Sequence, residues 1–210
     1  MCEIADAKSL LFAVMGGKGG IFMKSSFSAR QNLYRMTLDA LFVALYVVLS
    51  TFASFKIPGA IQISFSTLPI LLAAFLFRPV DAVGIALLGT FVEQVIDPSP
   101  YGFVTLPMWL IPGTVMALFA SLGAWKIRSC ASAKLGVVLT CVTIVCAELL
   151  LTTLNTVALY IDGAILGYAV KALHLLMPMR IINGLVRAAI SCVLIPLLLP
   201  TLRKVVAKIF

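Results

Sequence analysis

The stretch that decides the fold is LGVVLTCVTIVCAELLLTTLNTVAL, Leu135–Leu159, which carries a single charged residue, Glu148. A helix needs about 20 apolar residues to cross the hydrocarbon core of a bilayer, and this run is long enough. Working outward, similar runs recur along the chain. They cover about Tyr34–Phe55, Ile63–Phe77, Val80–Ile96, Thr105–Trp125 and Leu173–Leu199. Short breaks separate them. Lys56-Ile57-Pro58-Gly59 reads as a turn, Arg78-Pro79 as a breaker, and Asp97-Pro98-Ser99-Pro100-Tyr101-Gly102 as a Pro/Gly loop. Pro107 and Pro112 stand near the start of the fourth run, and Pro178 and Pro196 interrupt the sixth. The runs are too continuous for the alternation of a membrane β-barrel. The expected fold is an all-α membrane protein, a six-transmembrane-helix bundle.

Composition excludes a soluble domain. Of 210 residues, 62% are hydrophobic and 11% charged, with a mean hydropathy of +1.12. Soluble domains are about a quarter charged. The net charge of +8 suggests topology and anionic headgroups rather than nucleic acid, because the basic residues lie mostly between apolar runs. Most of the sixteen Lys and Arg fall on one side: before the first span, at Arg78, at Lys126, Arg128 and Lys134, and at Arg203, Lys204 and Lys208. With six spans, both termini are then expected on the cytoplasmic side. Residues 1–33 are less hydrophobic and read as a flexible cytoplasmic tail, with Met23 an alternative start. Residues 34–210 form the membrane domain. GGKGG (Gly16–Gly20) lacks the spacing of a phosphate-binding loop.

Polar groups inside apolar runs carry the functional signal. An ionisable side chain deep in a span costs about 2.5–3.5 kcal/mol on insertion scales, so it needs a partner or a cavity. Glu93, Gln94, Arg180 and Asn183 lie toward the same, outer end of spans three and six. Asn155 is seven residues from Glu148 and shares its face, as Arg187 does with Arg180. An outward-facing pocket with acids on one wall and a cationic wall on span six is the functional reading. For Glu148 with Arg187 a structural pair between helices is favoured. Tyr101 and Trp109 stand near the outer boundary. They are belt anchors, or they stack on a planar ligand. Ala40 and Ala44, four apart on span one, would permit a close helix approach.

The five cysteines form no CxxC, and His174 has no Cys or acid cluster around it, so no metal or cofactor is expected. There is no HExxH, no GxSxG and no paired-acid motif, so no enzymatic activity is expected.

Several segments together resemble a known family: LFVALYVVLS (Leu41–Ser50), ISFSTLPILLA (Ile63–Ala73), FRPVD (Phe77–Asp81), GTFVEQ (Gly89–Gln94), TTLNT (Thr152–Thr156) and YID (Tyr160–Asp162). They resemble the substrate-binding S component of an energy-coupling factor (ECF) vitamin transporter, closest to the folate group. The resemblance covers about residues 34–205 and implies a multi-pass protein of the bacterial plasma membrane. It implies a subunit that captures a vitamin at the outer face and docks on a transmembrane coupling subunit driven by two cytoplasmic ATPases. It also implies that Ala40 and Ala44 belong to the docking face. Under it, Glu93 and Asn155 would hold a pterin, Arg180 a carboxylate of the tail, and Tyr101 or Trp109 would stack. The alternatives are the same class with pantothenate, another pterin or a modified purine, or a structural or enzyme subunit of the membrane.

Overall fold

The structure, a computed structural model, describes residues 21–57, 61–96, 105–128, 133–166 and 170–209. Its elements in order are α1 (Ile21–Phe52), β1 (Ser54–Ile57), β2 (Ile61–Ser64), α2 (Thr67–Leu76), α3 (Pro79–Ile96), α4 (Leu106–Arg128), α5 (Ala133–Leu166) and α6 (Val170–Ile209). The chain divides into two units, Met1–Thr37 and Leu38–Phe210. In the first, the described part is the helical stretch from Ile21, which begins inside the expected tail. No Gly or Pro stands between Gly20 and Pro58 to interrupt a helix. Within it, Thr37 Oγ1 donates to the Leu33 carbonyl at 2.9 Å.

The second unit holds the core and the site. Among the described residues, five helices contain a stretch long and apolar enough to cross a membrane: Asn32–Phe52, Pro79–Ile96, Leu106–Arg128, Lys134–Ile165 and Met177–Val206. These correspond to five of the six expected spans. The expected second span, Ile63–Phe77, is built differently. Its first residues belong to a two-stranded antiparallel hairpin in which Phe55 pairs with Ile63 and Ile57 with Ile61. Its helix, α2, has only ten residues. At 1.5 Å per residue that is roughly 15 Å, about half the hydrocarbon thickness. The apolarity of α2 serves protein packing. Eight of its ten residues are buried, and it packs on α3, α4 and α6.

Helices α3 to α6 each pack against their chain neighbour. Small residues set the close approaches. A Cβ on Gly123 would meet Thr143 Cγ2 at 2.5 Å, and one on Gly184 would meet Thr152 Oγ1 at 2.5 Å. The α4–α5 and α5–α6 contacts thus depend on residues without side chains, as expected where lipid gives helices no hydrophobic reason to associate. The core gathers Phe42, Ile70, Leu71, Phe75, Ile85, Met116, Ile144 and Ile195.

With no water in the hydrocarbon, polar groups must be satisfied internally. Hydroxyls do this locally. Thr140, Thr143, Thr152, Thr153 and Thr156 each donate to the carbonyl four residues earlier, at 2.7–2.8 Å. Pro112 stands inside α4, and Pro178, Pro196 and Pro200 stand inside α6, so the interruption expected at Pro178 and Pro196 does not end that helix. Pro79 opens α3, where the missing N–H has no helical partner to lose. At the other end of α2, Arg128 Nη2 donates to the carbonyls of Phe75 and Phe77, at 3.0 and 3.3 Å. It thereby occupies acceptors that the short helix leaves open.

Candidate functional site

A cavity of about 340 Å³ lies within the second unit, and each of the six helices contributes to its lining. That volume is within the usual range for small-molecule sites. The lining is assembled from short stretches of each element. Helix α3 brings Thr90, Glu93 and Gln94 from its last turns. Helix α4 brings Trp109 and Gly113 from its first turns, and Met116 below them. Helix α5 contributes Leu151, Thr152 and Asn155, and α6 contributes Arg180, Asn183 and Arg187. Ser66, Thr67 and Ile70 come from the start of α2, and Tyr46 from α1.

The charges are segregated. The carboxylate is on the α3 wall and the two guanidinium groups are on α6, seven residues apart on one face. The Glu93 carboxylate accepts a 2.6 Å hydrogen bond from Tyr46 OH, whose oxygen is also 3.4 Å from Thr90 Oγ1. At the deep end, Arg187 Nε lies 3.6 Å from Glu148 Oε2, which makes an ion pair longer than a hydrogen bond. Its Nη2 donates to Thr152 Oγ1 at 3.3 Å, and that hydroxyl donates to the Glu148 carbonyl at 2.8 Å. Glu148 is fully buried, whereas Arg187 keeps 12% of its side chain accessible. Arg187 therefore has two attachments, one to its counter-ion and one to the cavity. Trp109 lines the cavity, and its indole Nε1–H is buried without an acceptor among the described residues.

Such a lining can grip a ligand that has hydrogen-bond donors at one end and an anionic group at the other. Among the described residues no group of three or more His, Cys, Asp or Glu could hold a metal ion.

The family model for the ECF transporter, substrate-specific component, matches residues 34–199. The chain belongs to that family. One similar solved structure is that of the S component of a bacterial ECF transporter, 22% identical, with a TM-score of 0.58 over 82% of this chain and 99% of that one. Another is ThiT from Listeria monocytogenes, 20% identical, with a TM-score of 0.67 over 82% of this chain and 97% of that one. At these identities the likeness is one of fold. A comparison with curated proteins finds no match. The protein is a multi-pass membrane S component, of a family of transporter subunits rather than of enzymes.

In this S component the residues expected to form a pocket share one cavity. Glu93, Gln94, Trp109, Asn155, Arg180 and Asn183 all line it. Tyr101 lies outside the described residues. Ala40 and Ala44 are exposed on α1. Glu148 and Arg187 form the expected pair, and Arg187 is in addition a cavity residue. Sequence reasoning missed Tyr46, Thr67 and Thr152. Tyr46 carried a signal: a phenol in the middle of an apolar span must find a polar partner inside the protein. The two Thr hydroxyls carried none, because a helix can satisfy them with its own carbonyls.

Proposed function

We propose that this S component captures a folate-like vitamin at the outer face of a bacterial plasma membrane, for ATP-driven uptake by partner subunits. The observation that carries the reading is a single cavity with Glu93 on one wall and Arg180 and Arg187 on another. A pterin is planar and presents amino and ring N–H donors, which a carboxylate such as Glu93 accepts. Asn155 and Gln94 supply further donors and acceptors. Trp109 offers a flat face to the ring. The tail of a folate ends in carboxylates, for which Arg180 is the matching bidentate partner. Asn183, one turn from Arg180, completes that wall.

The partners of this reading are a transmembrane coupling subunit and two cytoplasmic ATPases. Ala40 and Ala44, exposed on α1, form part of the face for the coupling subunit. The skew of Lys and Arg supports cytoplasmic termini, with residues 1–33 as a tail on that side, and six passes counted with the short α2 region. The cavity then opens outward.

The test is equilibrium binding to the full chain in nanodiscs, with folic acid, a carboxylate-free pterin, pantothenate and a modified purine. Folic acid should bind saturably at one per chain. Charge-assisted hydrogen bonds contribute about 1.5–3 kcal/mol. Arg180→Ala should therefore weaken folic acid by roughly 10- to 100-fold and leave the pterin nearly unchanged. Equal weakening of both would mean that Arg180 holds the fold rather than a carboxylate. Tight binding of another panel member instead of folic acid would keep the class and change the ligand.

A further inference from the structure

The Glu148–Arg187 pair does more than join two helices. A buried ion pair holds a fold no better than well-packed apolar side chains of similar volume, so the α5–α6 contact does not by itself account for it. The geometry is also loose for a structural link. Arg187 Nε is 3.6 Å from Glu148 Oε2 and makes no hydrogen bond. Among the described residues the guanidinium makes a single hydrogen bond, from Nη2 to Thr152 Oγ1 at 3.3 Å, which is long for an N–H donor to oxygen. Thr152 and Arg187 both line the cavity. A guanidinium is rich in N–H donors and has no acceptor. Most of these donors are uncommitted, on a side chain that borders the cavity.

Glu148 decides what those donors suit. It is fully buried, it does not line the cavity, and it compensates the charge of Arg187. An anionic ligand group at Arg187 would set a second negative charge beside a buried carboxylate, and like charges so placed are costly. A neutral acceptor, such as a carbonyl oxygen or a ring nitrogen, takes the same hydrogen bonds without that repulsion. We propose that Arg187, charge-compensated by Glu148, is a specificity-determining residue that donates to a neutral ring acceptor of the ligand, so that the site selects a ring with an oxo group over the same ring with an amino group in its place. Under the folate reading above, on which this rests, the acceptor is the 4-oxo group of the pterin. A 4-amino pteridine turns a donor toward a side chain that can only donate, which is a repulsive element against the wrong ligand. The two arginines of α6 then have different tasks. Arg180 meets the charged tail, and Arg187, seven residues away and roughly 10 Å along the helix, meets the neutral ring.

The test compares folic acid with its 4-amino analogue in equilibrium binding to the full chain in nanodiscs. The two compounds share one tail, so the ratio of their affinities is blind to the tail contacts and to a general loss of folded protein. The native protein should prefer folic acid by at least about tenfold. Arg187→Met combined with Glu148→Met removes the pair without leaving a lone buried charge. That double variant should weaken folic acid, keep the 4-amino analogue, and bring the ratio close to one. Equal affinity of the native protein for both compounds, the opposite preference, or a preference that survives in the double variant would overturn the proposal. Should the double variant fail to fold, Thr152→Val decides. It removes the one hydrogen bond that holds the guanidinium and leaves the ion pair in place, so the preference should fall, and an unchanged ratio would overturn the proposal. If neither compound binds the native protein, the folate reading fails and the role of Arg187 falls with it, whereas binding of both without preference leaves that reading standing and overturns the role of Arg187 alone.

Discussion

Glu148 is a costly side chain to place. It is fully buried in the long apolar run of α5, and its counter-ion, Arg187, comes from α6. Removing one member of a buried pair leaves the other uncompensated, at about 3–5 kcal/mol. Glu148→Met should therefore lower the unfolding temperature in detergent sharply. Adding Arg187→Met should recover much of that loss, since a matched apolar replacement of both partners is close to neutral. Failure of the second change to rescue the first would show that Arg187 is held by the cavity rather than by Glu148. At this scale the sequence was informative because lipid is unforgiving. Glu93, Arg180 and Arg187 stood out as ionisable residues in apolar runs, and all three line the cavity. Tyr46 was passed over because a tyrosine is ordinary in an apolar helix until its hydroxyl is asked for a partner.

Among the elements, α2 shows where reading by hydropathy stops. A fifteen-residue, mostly apolar run looks the same whether lipid or protein covers it. The structure divides that run between a strand and a ten-residue helix enclosed by α3, α4 and α6. The pattern Ile61-Gln62-Ile63-Ser64 alternates, but two repeats are too few to read as a strand. The long spans were legible because their length leaves no alternative. The contact between α5 and α6 gives a prediction at this scale. Gly184 faces Thr152 Oγ1, so Gly184→Ala must displace that hydroxyl and with it the bond from Arg187. Overpacking of this kind costs about 1–3 kcal/mol. A thermal shift of that order should accompany a loss of ligand affinity. Gly136, with open space around its Cβ position, is the control, since Gly136→Ala should be neutral or stabilising.

For the molecule as a whole, the arrangement of helices explains how residues far apart in the sequence line one cavity. The buried short helix α2 packs on α3, α4 and α6, and its start lines the cavity with Thr67 and Ile70. The five spans each contribute residues to the same cavity. Ligand chemistry is then set by a few side chains, while the apolar remainder answers to lipid. The central claim is that this cavity holds a vitamin with a donor-rich ring and an anionic tail. The most direct measurement is mass spectrometry of what the purified full chain releases on denaturation, with Arg180→Ala prepared in parallel. The account predicts a folate or related pterin at close to one per chain from the native protein, and much less from Arg180→Ala. A protein that releases no small molecule and binds none of the vitamin panel would contradict it.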